Sequence, residues 1–220
     1  MADLPLLLGH RGARGKNAPR ENTFAAFDLA LESGCDGFEF DVRLTLDQQA
    51  VICHDAKYKG RQLSSVRSPD CSALCALVSV LGRYHSRAFL DIELKVPGLA
   101  DRVLLDLQAT EPHRGYVISS FLPDIIEDLY RADPHVPLGI ICETRQQLAR
   151  VTDLPVGWVM THHALTTPAL VRRFQQQQKK VLVWTVNRPE DMLLFMQQGV
   201  DGLISDNPAL LVKTVRRSGP

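Results

Sequence analysis

The sequence predicts an α/β chain closed into a TIM (β/α)8 barrel, a single domain over residues 1–220. Three observations carry that expectation. Short apolar runs recur along the chain, rich in Val, Ile and Leu, as strands buried on both faces require. Amphipathic segments separate most of them, many opened by Pro, so strand and helix alternate as in parallel β/α units. The length of 220 residues, 45% hydrophobic, suits one barrel core and is short for two full domains.

Taken in order, the runs are LPLLLGH (4–10), FEFDVRL (38–44), AVICH (50–54), AFLDIEL (88–94), YVISS (116–120), PLGIIC (137–142), GWVMTH (157–162), VLVWTV (181–186) and GLISD (202–206). Leu46-Asp47-Gln48-Gln49 is too short for a parallel crossover, so AVICH should fold back on FEFDVRL as a hairpin, leaving eight barrel strands. Helices are read at 23–33, with Phe24, Phe27 and Leu31 on one face and Gly34 as the stop, and at 122–132. Pro168, Pro189 and Pro208 open three more. Residues 55–87 are irregular and read as a short insertion that ends in a helix from Ser72 to Tyr84, which would put Cys71 beside Cys75 one turn apart. An open doubly wound sheet is the alternative topology, but no glycine-rich phosphate fingerprint follows the first strand.

Composition narrows the partners. Lys+Arg and Asp+Glu both number 25, which gives no reason to expect nucleic acid or an anionic membrane as the main partner. Five cysteines without paired spacing argue against a disulfide framework. The N-terminal apolar run, broken by Pro5, is too short for a secretion signal, and nothing approaches a membrane span, so a reducing cytoplasmic setting is expected.

Functional groups of such a barrel gather at the C-terminal strand ends. His10 and Arg11 follow the first run, and Glu39 and Asp41 share one face of the second. His54 and Asp55 end the third, and Glu93 and Lys95 end the fourth. Three carboxylates in apolar strands need positive charge, and an all-oxygen set suits a hard cation, Mg²⁺ or Ca²⁺, over zinc. The competing reading pairs them with Arg11, Lys95 and Arg43 as ion pairs. Two histidines near neutral pKa can act as base and acid, while Arg11 and Lys95 suit a phosphate. Trp184 is either a core aromatic or a wall for an apolar part of a substrate. His162-His163 lie at another strand end with no partner visible in sequence.

Together these residues resemble the glycerophosphodiester phosphodiesterase family over nearly the whole chain. GHRGARG, APRENTFAAFDLAL and GCDGFEFDVRLTLDQQAVICHD match its N-terminal signature in order, and LDIELK, ISSF, VWTVN and GVDGLISDNP match later motifs. The resemblance implies a divalent metal on Glu39, Asp41 and Glu93, acid/base catalysis by His10 and His54, phosphate contacts from Arg11 and Lys95, and Trp184 near the glycerol. It implies hydrolysis of a small glycerophosphodiester to glycerol 3-phosphate and an alcohol. The chain departs from the pattern by extra residues before Glu21 and by a shortened stretch after His54-Asp55, where substrate choice should be set. That departure keeps open a lysophospholipase D-type reading on the same barrel. A non-catalytic phosphate-binding barrel is the rival from another class.

Overall fold

The computed structural model describes residues 4–218. The strands are β1 (Leu6–Gly9), β2 (Gly37–Leu44), β3 (Ala50–Ile52), β4 (Lys57–Tyr58), β5 (Arg61–Gln62), β6 (Phe89–Leu94), β7 (Tyr116–Ser120), β8 (Leu138–Cys142), β9 (Trp158–His162), β10 (Lys180–Trp184) and β11 (Gly202–Ser205). The helices are α1 (Phe24–Glu32), α2 (Leu77–Tyr84), α3 (Ala100–Ala109), α4 (Pro123–Ala132), α5 (Arg145–Arg150), α6 (Pro168–Gln176), α7 (Pro189–Gln197) and α8 (Pro208–Ser218). β1, β2 and β6–β11 pair in parallel around a ring that β1 closes on both β2 and β11. This is the expected barrel, with β3 antiparallel to β2 outside the ring.

Strand alternation divides the core in two. On β2, Phe38, Phe40 and Val42 are fully buried against the helices, while Glu39 and Asp41 share the other face. Phe27 of α1 stacks on Phe38 at 4.2 Å, and Tyr84 of α2 meets both edge-on. A second, smaller cluster of Leu8, Val117, Met160, Leu182 and Ile204 comes from different barrel strands and makes a separate apolar core. Thr23 caps α1 by accepting from the Ala26 amide, and Gly34, at φ +94°, ends that helix where a side chain would be strained.

The structure corrects the expectation for 72–84. The helix begins at Leu77, Cys71 closes a 3-10 turn before it, and the two cysteines do not share a helix face. Ala76 at the start offers no side-chain acceptor, and Val51 pairs with it across an isolated bridge, so the preceding backbone is held extended. α3 and α5, which the sequence reading did not single out, complete the alternation. Among the described residues no helix is long and apolar enough to cross a membrane, and all five cysteines are free.

Candidate active site

The site grows from three neighbouring strand ends. β1 stops at Gly9, and the chain turns through Arg11 (φ 51°) and Gly12 (φ 83°). Any Cβ at Gly12 would lie 2.6 Å from the Ala26 carbonyl carbon, so only glycine lets this turn rest on α1. The turn aims the Arg11 amide at Glu39 Oε2, 2.9 Å away. Register does the rest: β2 and β6 pair Glu39 with Asp91 and Asp41 with Glu93, laying four carboxylates side by side.

Glu39, Asp41 and Glu93 each offer an oxygen within 4.8 Å of the others. Two positive groups reach this cluster. Arg11 Nε is 3.2 Å from Asp41 Oδ2, and Lys95 Nζ is 2.6 Å from Glu93 Oε1 and 3.4 Å from Asp41 Oδ1. They do not satisfy it: Glu39 Oε1 and Asp41 Oδ1 are buried without a hydrogen-bond partner. Buried carboxylate oxygens that accept no hydrogen bond are costly, and this all-oxygen donor set fits one hard divalent cation. The ion-pair reading therefore holds for Arg11 and Lys95 without exhausting the carboxylates, whereas Arg43 pairs with none of them.

Protonation follows the same imbalance. Burial, then Asp41 and Glu93, push the Glu39 carboxyl well above the usual range. Burial and Asp41 push Glu93 up to about 7, with Lys95 opposing. Burial alone would raise Asp41, but Lys95 and Arg11 outweigh it and hold that carboxyl down. Asp91 is lifted by burial to about 7 although Ser119 Oγ donates to it at 2.6 Å.

His10 and His54 flank this cluster and are held differently. His10 Nδ1 donates to Asp206 Oδ1 at 2.7 Å, which leaves Nε2 facing inward, 3.8 Å from Glu39 Oε2. Asp206 also accepts from Arg14 (3.2 Å) and Asn187 (2.7 Å). Burial opposes its ionisation, but the His10 bond prevails and holds the carboxyl at about 2. His54 bonds through Nδ1 to the exposed Asp55 at 3.0 Å, and Arg43 Nε grips its backbone carbonyl at 2.8 Å.

A cavity of about 450 Å³ is lined by His10, Arg11, Glu39, His54, Glu93 and Lys95. Phe121, Ile141, Met160 and Trp184 line the same cavity, with Trp184 edge-on to Phe121 at 5.5 Å and Lys95 Nζ over the Phe121 ring at 5.5 Å. Of the residues to which the resemblance gives a role, all but the fully buried Asp41 line this cavity, whereas Arg43, Asp55, His162 and His163 do not. Of the second histidine pair, His162 turns its ring to Trp184 at 5.2 Å. Sequence reasoning assigned no part to Asp206, Asp91, Glu21 or Asn22. Glu21 binds both Arg11 and Arg14, and Asn22 donates to Asp41 Oδ2 at 2.8 Å. The only signal for them was their place inside the ENT, LDIELK and ISDNP motifs.

The model of the glycerophosphoryl diester phosphodiesterase family matches residues 10–67 and 96–210. The match breaks at 68–95, and Glu93 and Lys95 fall inside the break. A glycerophosphodiester phosphodiesterase of Caldanaerobacter subterraneus is 30% identical over 97% of this chain and 99% of its own length. The glycerophosphodiester phosphodiesterase of Thermotoga maritima superposes with a TM-score of 0.83 at 25% identity, covering 97% and 99% of the two chains. A phosphodiesterase of Oleispira antarctica, solved with its product sn-glycerol-3-phosphate, shares the fold at a TM-score of 0.83 and 23% identity, covering 97% of each chain. This chain belongs to the glycerophosphoryl diester phosphodiesterase family.

Proposed function

We propose that this chain, a phosphoric diester hydrolase of that family, acts as a single barrel domain that cleaves glycerophosphodiesters to glycerol 3-phosphate and an alcohol. One observation carries the reading: a buried carboxylate triad, two of whose oxygens accept no hydrogen bond, lies between two histidines beside one cavity. Glu39, Asp41 and Glu93 would hold one Mg²⁺ or Ca²⁺. Bound there, the cation would neutralise a phosphate oxygen and polarise phosphorus.

The chain's own groups supply the rest. Arg11 and Lys95, both lining the cavity, balance charge on the remaining phosphate oxygens. Asp206 fixes the tautomer of His10 so that Nε2 faces the substrate. His10 and His54 divide the proton transfers: one deprotonates the nucleophile, either water or the neighbouring glycerol hydroxyl whose cyclic phosphate water then opens, and the other protonates the departing ester oxygen. Phe121 and Trp184 supply an apolar wall that packs on the glycerol carbons. The free thiols suit a reducing cytoplasm.

The test is turnover of glycerophosphocholine, glycerophosphoethanolamine and a lysophospholipid after chelation and with Mg²⁺, Ca²⁺ or Mn²⁺ restored. Release of glycerol 3-phosphate from the first two, dependent on the cation, is the expected result. Preference for the acylated substrate, or retained binding without hydrolysis, would sink the reading.

A further inference from the structure

We propose that a second cavity at the barrel mouth receives the alcohol arm of the substrate and favours hydroxyl-rich or anionic alcohols over quaternary ammonium ones. The inference rests on the glycerophosphodiester reading above and names the substrate class within it. The cavity measures about 380 Å³ and shares no lining residue with the one that holds the histidines. That volume lies within the roughly 300–1,000 Å³ of small-molecule sites.

Its position follows from chain connectivity. Each of three walls continues directly from a residue of the active site. Arg43 stands two residues beyond Asp41 on the same face of β2, Ala56 two beyond His54, and Val96 next to Lys95. Two residues of chain span at most about 7 Å, so the cavity adjoins the cluster on its His54 side. The Arg43–His54 bond at 2.8 Å ties the two together. With the glycerol on the Phe121–Trp184 side, the second ester arm of the phosphate is left to point here.

Its chemistry selects the occupant. No Asp or Glu lines the cavity, and among the described residues no carboxylate lies within ion-pair distance of the half-buried Arg43. Asp47 stays ionised, its carboxyl held at about 2 by the Thr45 and Ser68 hydroxyls, but it turns its oxygens to those donors and lines no wall of the cavity. Arg43, with Asp55 as a charged neighbour but no carboxylate in contact, stands beside the amides of Gln48 and Gln62 and the hydroxyl of Ser64. Leu44, Leu63 and Val96 supply apolar wall. A polyol or a negative group meets donors here. A quaternary ammonium meets neither a carboxylate nor an aromatic ring.

The experiment compares kcat/KM for glycerophosphoinositol, glycerophosphocholine and the methyl ester of glycerol phosphate in the cation-loaded enzyme. The wild type should favour the inositol ester over the choline ester by about tenfold. Arg43→Gln should bring that ratio close to one, and the ratio cancels any loss transmitted through His54. Ser64→Trp, and independently Gln62→Trp, plug the cavity from exposed positions. Each should lower the inositol ester at least about tenfold relative to the methyl ester. Equal turnover of inositol and choline esters by the wild type, or plugs that slow all three substrates alike, would overturn the inference while leaving the diesterase reading intact. No glycerol 3-phosphate from any of the three would overturn the reading beneath it.

Discussion

The two sides of the barrel mouth hold the same functional group by opposite means. On the β1–β11 side, His10 sits at a regular strand end, its side chain 13% exposed, and an ionised Asp206 with three donors grips it. On the β3–β5 side, His54 rides an irregular segment, its side chain 37% exposed, and bonds to an Asp55 that is 80% exposed. Asp206 is held because barrel closure brings β11 against β1. Asp55 is only the next residue along the chain, and the firm hold on His54 is Arg43 on its backbone.

The largest effects should come from the imidazoles themselves. His10→Ala and His54→Ala should each lower kcat by about 10²–10⁴-fold, measured on a glycerophosphodiester. Near-wild-type turnover by either would remove that histidine from the chemistry. Next comes the contrast between their partners. Asp206→Asn should cost about 10²-fold in kcat with little change in KM, because the amide can present its nitrogen and favour the wrong tautomer. Asp55→Asn should cost less than about threefold, since an exposed pair contributes little. Equal losses would erase the asymmetry.

Smaller effects lie in pH dependence. Glu93 is held up to about 7, so the folded state keeps a proton that the unfolded chain releases from about 4.5 upward. The metal-free protein therefore loses stability as pH rises through that window. A divalent cation competes with the same proton, and its stabilisation should grow there. The rise in Tm on adding Ca²⁺ or Mg²⁺ should be larger at pH 8 than at pH 5, and a pH-independent rise would contradict the carboxylate assignment. Asp206 has the opposite sign. Its pKa is depressed to about 2, so its contribution is complete above the ordinary value of 3.8 and is lost as pH falls towards 2. Tm of Asp206→Asn should fall less than wild type between pH 4 and pH 2, by roughly 2–4 °C.

Much of this was legible in the sequence because it is local. Each barrel strand coincides with an apolar run, and the prolines at 168, 189 and 208 open α6, α7 and α8 where they stand. Glu39 and Asp41 could be placed on one face by period-two alternation alone. The start of α2 was not legible, since no capping side chain marks Ala76 and the pairing with Val51 that extends the backbone is a tertiary contact. α5 escaped because it is only six residues long, although Thr144 and Gln147 form a capping box. The partner of His10 was out of reach for a stronger reason: Asp206 lies 196 residues away and meets it only when the ring closes. The Arg43 hold on His54 likewise depends on the β2–β3 hairpin, not on spacing.

The central claim is that Glu39, Asp41 and Glu93 form one cation site between the two histidines. Calorimetric titration of the chelated protein with Ca²⁺ and with Mg²⁺, set against folded Asp41→Asn, tests it without reference to turnover. The wild type should bind one equivalent with release of protons near pH 6, and the variant should lose that binding. Undiminished binding by Asp41→Asn would contradict it.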